Sequence, residues 1–270
     1  MQRFWEIDAL RGIAIFMMVI YHTLYDLAVF GQVSIDVLHG FWRYFARATA
    51  ILFLLLLGIS AAVSLQRGRA HKVFFKRGLI VFGWGMLITL VTYLLLHEGF
   101  VIFGILHLIG ISIILLPFFH DKKVFTSLTI ILLLVLPFLF PFIQAGSIPL
   151  IPFGLPPSDF YSVDYYPLIP WFGVILLGLL AGNFLYHNGK RAYSVKKFSF
   201  LPLTPLTTPL TTLTSALGFM GKHSLAIYLL HQPIIIALLS MAGIISLCLL
   251  SKINIFKETG HTISDEIPHP

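Results

Sequence analysis

Four ionisable side chains, Asp8, Arg11, His22 and Asp26, stand in the first long apolar run of this chain. At about 100° per residue, His22 lies only ~20° around a helix from Arg11, and Asp8 and Asp26 lie within ~60° of it. One helical face therefore carries all four. At about 1.5 Å per residue, His22 is ~16 Å farther along the axis than Arg11. His22 is one turn from a carboxylate that can orient its ring, which is a base beside its orienter, the pattern that activates nucleophiles.

Other apolar runs supply partners. Arg43 and Arg47 are four apart and share a face near the outer end of the second run, with Arg47 at about the depth of His22 and Asp26. An Asp26–Arg47 ion pair is the expectation. His107 enters the fourth run at similar depth, and His231 shares a face of the last run with Tyr228, beside Gln232-Pro233. Converging, these groups would line a polar path through most of a bilayer. An ionisable group inside a span costs about 2.5–3.5 kcal/mol, which makes each a functional candidate. The structural alternatives are bundle hydrogen bonds for His107 and His231, an ion pair for Asp26, and snorkelling to the interface for Arg43 and Arg47. The 11 histidines are scattered without HxxxH or HExxH spacing, so no metal site is expected. No P-loop or GxGxxG follows a strand.

The elements that must position these groups follow from the composition. Of 270 residues, 58% are hydrophobic and only 11% charged, against roughly 25% charged in a soluble domain. Surface-to-volume scaling cannot hide so much apolar surface in a soluble fold. Soluble enzymes, disordered chains and secreted disulfide scaffolds are excluded, the last also by the single cysteine, Cys248. The chain reads as an all-α, polytopic transmembrane bundle of about seven spans: 9–30, 42–65, 78–96, 101–119, 124–144, 167–187 and 217–250. The first is a span, not a cleaved signal peptide, because His22 and Asp26 interrupt it and no small-residue cleavage site follows promptly.

Arg67, Arg69, Lys72, Lys76 and Arg77 lie between spans two and three, Lys122 and Lys123 between four and five, and Lys190, Arg191, Lys196, Lys197 and Lys222 between six and seven. The opposite connections, 97–100 and 145–166, have no Lys or Arg. That alternation sets the N-terminus in the cytoplasm and the C-terminus outside, and topology rather than nucleic acid accounts for the net charge of +7. The 145–166 connection, with Asp159 and Asp164, reads as an ordered external loop or lid. Residues 198–215, with prolines at 202, 205 and 209, read as an irregular linker. Residues 1–250 form one domain and 251–270 a polar tail.

Four blocks carry a family likeness: RFWEIDALRGIAIFMMVIYHTLYD (3–26), EGFVIFGILHLIGISIIL (98–115), DYYPLIPWFGVILLGLLAGN (164–183) and GKHSLAIYLLHQP (221–233). In this order they resemble the heparan-alpha-glucosaminide N-acetyltransferase catalytic-domain family, small prokaryotic members included. Arg11 and His22 also resemble the Arg-x10-His motif of the wider transmembrane acyltransferase superfamily. The resemblance implies a multi-pass enzyme of a prokaryotic plasma membrane that moves an acetyl group from cytosolic acetyl-CoA to an acceptor outside, an amino sugar or other glycan. Acetyl-CoA is then the acyl-donor substrate, and no metal is called for.

On that basis His22, oriented by Asp26, is the expected catalytic base or acetyl carrier, with Arg47 or His107 meeting the oxyanion. Arg11, Lys76 and Arg77, with Lys222, would hold the phosphates of CoA, and His231 would also lie on the CoA-binding side. The lysosomal member has an asparagine at the place of His22 and a histidine beyond it, so His39 in the first external loop stands as the other catalytic candidate. The acceptor, N- against O-acylation, acyl length and homodimerisation stay open. The competing class is a non-enzymatic transporter or proton-coupled carrier that uses the same His, Asp and Arg stripe as a relay. A membrane scaffold ranks below both, since buried charge without a use is expensive.

Overall fold

A computed structural model describes residues 4–30, 33–96, 98–143, 146–192 and 207–244. It is helical almost throughout, as the apolar runs require: in lipid a backbone N–H finds no water, so each run must satisfy its own hydrogen bonds. The helices are α1 (Trp5–Phe30), α2 (Gly40–Gln66), α3 (His71–Leu96), α4 (Ile105–Leu115), α5 (Lys123–Val135), α6 (Leu168–Leu185), α7 (Thr207–Lys222) and α8 (Ser224–Met241). Six are long and apolar enough to cross a membrane: α1, α2, α3, α6, α8, and α5 with its 3-10 continuation to Phe142. The protein is a multi-pass helical membrane protein.

Two stretches differ from expectation. The fourth run begins its helix at Ile105 rather than 101, and Leu116–Phe118 tightens into a 3-10 turn at Pro117. Fourteen residues at about 1.5 Å each span roughly 21 Å, short of a ~30 Å hydrocarbon core. The residues before it are an irregular stretch that bends at Ile102 and Phe103, with the Val101 N–H donating to Thr92 Oγ1. The second difference is at 198–215, expected to be irregular: residues from Thr207 onward are helical. Pro209 falls in the first turn of α7, where a backbone N–H has no partner within the helix anyway. Residues 198–206, Cys248 and the 251–270 tail lie outside the described residues.

The described residues gather into two compact units, one of 4–56 with 207–244 and the other of 57–192. The first contains α1, α7, α8 and the start of α2. Here α1 and α7 run antiparallel at close range. A Cβ at Gly12 would strike the Leu217 carbonyl, and one at Gly221 would strike the Asp8 carbonyl. Small residues at a helix contact let two backbones approach and gain dispersion energy where lipid offers no hydrophobic drive. Ala14 and Ile15 of α1 are fully buried. α8 packs along the later part of α1, through the contacts described below.

In the second unit α3 and α4 form a similar contact, with Gly78 set against the Gly110 carbonyl and Gly110 against the Phe82 backbone. Leu108, Leu116, Ile175, Leu176 and Leu179 form its fully buried centre. The end of α2 is tied to a short hairpin, Tyr186–His187 paired with Lys190–Arg191. Its turn, Asn188-Gly189, has positive φ at both residues, the geometry a two-residue hairpin favours. Gln66 accepts the Gly189 N–H, and Arg67 donates to the Gly189 carbonyl at 3.0 and 3.2 Å.

Candidate active site

The polar stripe on α1 faces α7 near its start and α8 farther along. At the first level Arg11 donates to Asp8 Oδ1 at 3.1 Å and to the Gly221 carbonyl at 3.3 Å. A cation so placed also suits the C-terminal turn of α7, where carbonyls lack helical partners. Asp8 is buried and the Arg11 side chain is 19% exposed.

The second level is built by α1 and α8. Asp26 is 0% exposed, and both carboxyl oxygens accept from Gln232 Nε2, at 2.8 and 3.0 Å. The expected Asp26–Arg47 pair is not formed. Arg47 is exposed, and among the described residues it has no ion-pair or hydrogen-bond partner. Counting rise along a helix fixes the height of Arg47 but not the direction in which α2 turns it, and a guanidinium with a long stem can leave for the interface. His22, partly buried, lies with its ring centroid 4.8 Å from that of His231. No hydrogen bond joins His22 to Asp26; the neighbour of the His22 ring is a second imidazole.

That second imidazole is held in one tautomer. His231 Nδ1 is 2.6 Å from the Tyr228 carbonyl oxygen. A carbonyl only accepts, so Nδ1 carries the proton and Nε2 keeps its lone pair. His231 Nε2 is buried and has no hydrogen-bond partner, as has Gln232 Oε1 beside it. One turn of α8 thus presents a fixed acceptor lone pair beside His22.

The second unit places His107 differently. Gly104 N–H donates to His107 Nδ1 at 3.1 Å, which leaves the proton on Nε2, 3.4 Å from Thr89 Oγ1. The ring is buried between Phe82 and Phe103, and Gly85 makes room for it. Nδ1 thus serves the start of α4, while Nε2 turns to α3. Asp164 Oδ2 joins Nδ1 there, accepting the Ile105 N–H at 3.1 Å. Loss of hydration raises the Asp164 carboxyl to about 6, against the opposing pull of that bond. This side chain is turned to backbone rather than offered to an acceptor, whereas Asp159 is exposed. The 146–167 loop is ordered, with Val163 and Tyr166 N–H groups bonded to the carbonyls of Gly99 and Phe103. Lys76 and Arg77 are exposed in the early turns of α3, and Lys222 is exposed at the end of α7.

His39, the other imidazole candidate, donates from Nδ1 to Asp36 at 2.9 Å, and its side chain is 44% exposed. That bond, with the backbone N–H groups of His39 and Leu38, holds the Asp36 carboxyl below its ordinary range. Asp36 thereby caps the approach to α2. Among the described residues no cluster of three or more His, Cys, Asp or Glu could hold a metal ion.

The order of blocks along the chain and the buried polar contact of α1 with α8 now meet a family comparison. The heparan-alpha-glucosaminide N-acetyltransferase catalytic domain matches residues 3–233, nearly the whole chain. The chain belongs to that family. No curated protein and no solved structure matches it. By family it is a membrane acetyltransferase, and residues 3–233 include every group just described on α1 and α8.

The Gln232 contact to Asp26 was beyond sequence reasoning, which noted Gln232 only as a neighbour of His231. The available signal was its spacing: a polar residue next to His231, in an apolar helix, needs a buried partner of its own.

Proposed function

We propose that this protein transfers an acetyl group from cytosolic acetyl-CoA to an amino sugar or other glycan on the far side of a prokaryotic plasma membrane, with its N-terminus in the cytoplasm. The observation that carries the reading is the buried contact of His22 and Asp26 on α1 with His231 and Gln232 on α8, in a chain of this acetyltransferase family. An imidazole near neutrality is the group acyl transfer needs, and a buried site is where its proton transfers escape competition from water.

In this reading Arg11 binds a phosphate of CoA. Arginine suits that part because its planar donors match phosphate oxygens two at a time. The pantetheine arm then runs along the α1 stripe, placing the thioester by His22, ~16 Å from Arg11 along the helix. Arg47, exposed, and His107, committed to the start of α4, have no part in it.

The test separates binding from chemistry. Purified His22→Ala is expected to bind CoA with unchanged affinity and to lose acetyl transfer by about 100-fold or more. Arg11→Ala is expected to bind CoA at least about tenfold more weakly, the loss of roughly one charge-assisted contact. Transfer at the wild-type rate by His22→Ala, or unchanged CoA affinity in Arg11→Ala, refutes the corresponding role.

A further inference from the structure

Of the two imidazoles, His22 has the motif spacing, but His231 has the geometry of a base. Its Nδ1–H is fixed on the Tyr228 carbonyl, its Nε2 lone pair is buried and unpartnered, and the ring stands against His22. A buried acceptor with nothing to accept is costly unless something brings it a proton. The groups facing it are few. From α1 comes His22; from its own helix come the Tyr228 ring and the Ile227 and Tyr228 backbone. None is a hydrogen-bond donor to Nε2.

We propose that His231, resting on the acyl-transfer reading above, is the general base of the reaction: Nε2 takes the proton from the acceptor as the acceptor attacks the thioester. This assigns to His231 the proton transfer that sequence spacing gives to His22, and moves His231 from the CoA-binding groups to the reacting centre. The acceptor nitrogen or oxygen forms a bond to the acetyl carbonyl carbon while its hydrogen passes to Nε2. The resulting tetrahedral species breaks its C–S bond, and the departing thiolate takes the proton back from Nε2 to leave as free CoA thiol. The acceptor keeps the acetyl group, His231 returns to its starting tautomer, and no oxidant or other reactant is required. His22, with its ring against His231, donates to the carbonyl oxygen as negative charge develops there. The Tyr228 carbonyl stabilises the Nδ1–H of the imidazolium that exists between the two proton transfers, a part that elsewhere falls to a carboxylate.

The experiment uses the full-length protein in detergent, with acetyl-CoA as donor and glucosamine as probe acceptor, and follows CoA thiol release both with glucosamine and with water alone. His231→Ala and His231→Gln are expected to lower kcat by about 100- to 10,000-fold in both assays while the Kd for CoA stays within about twofold of wild type. Imidazole added to His231→Ala is expected to restore thiol release in proportion to its concentration, which a merely structural vacancy would not give. If wild-type protein binds CoA and releases thiol but His231→Gln does so equally fast, or if His39→Ala rather than His231→Gln is inactive, the assignment to His231 falls and the acyl-transfer reading survives. If wild-type protein neither binds CoA nor releases thiol, both fall.

Discussion

Asp26 sits without any exposed surface in a helix bound for lipid, and the hydrogen bonds it accepts come from one amide, Gln232 Nε2. Such a pair is held by the expense of separating it: a buried carboxyl stripped of its donor loses at least about 1–3 kcal/mol, more if charged. Gln232→Leu is therefore expected to lower the apparent Tm in detergent by several degrees, and Asp26→Leu with Gln232→Leu to recover most of that loss. An unchanged Tm in Gln232→Leu would mean that the pair does not hold α1 to α8. The shared face of Asp8, Arg11, His22 and Asp26 was legible in advance because a helix has one period and four residues suffice to fix a direction on it. The partners were not, because spacing along one helix says nothing of how its neighbours are turned. Depth along the helices pointed to Arg47 as the mate of Asp26, yet the uncharged amide on α8, not the charge on α2, is the one that meets it.

The start of α4 shows how an element boundary can absorb polar groups that read as chemistry. Its first N–H groups have no helical partners, and the Gly104 and Ile105 N–H groups are taken by His107 Nδ1 and Asp164 Oδ2. Asp164 is raised from an ordinary 3.8 to about 6 by loss of hydration. Between those values the folded chain keeps a proton that the unfolded chain has released, so the stability due to Asp164 is highest near pH 4, falls as pH rises, and is lost above about 6. Asp164→Asn keeps an acceptor for the Ile105 N–H and removes the titration. It is expected to be more stable than wild type at pH 7, by on the order of 1–2 kcal/mol once partial exposure is discounted, read as a higher apparent Tm, and to match it near pH 4. A wild-type Tm that climbs relative to Asp164→Asn across this range would reverse the sign and refute the account. Long apolar runs announced α1, α2, α3, α5, α6 and α8, because the bilayer thickness sets their length. The late start of α4 and the helicity of α7 were not legible, since each depends on local capping: a bent segment pinned by Thr92 in one case, and in the other a proline placed where its missing N–H does no harm.

For the molecule as a whole, a polar seam in a chain that is 58% hydrophobic serves a carrier as readily as an enzyme, since both must offer charged or hydrogen-bonding groups to a solute in lipid. The two differ in what they bind at rest. An acetyltransferase holds its donor in the folded state alone, so CoA must raise its stability by mass action, about 2.7 kcal/mol at 100 times the Kd. A carrier of an unrelated solute gains nothing from CoA. For a chain of this size, roughly 2–4 °C per kcal/mol converts that linkage into a rise of about 5–11 °C in apparent Tm. Desulfo-CoA, which keeps the phosphates but lacks the thiol, is expected to give most of the rise, because the contact proposed for Arg11 is with phosphate. Acetate at the same concentration is expected to give none. The shift should persist in His22→Ala and His231→Gln, where chemistry is removed and binding kept, and shrink in Arg11→Ala. A flat response of the wild-type protein to saturating CoA, in a preparation that still unfolds cooperatively, would leave the carrier as the reading that fits the seam.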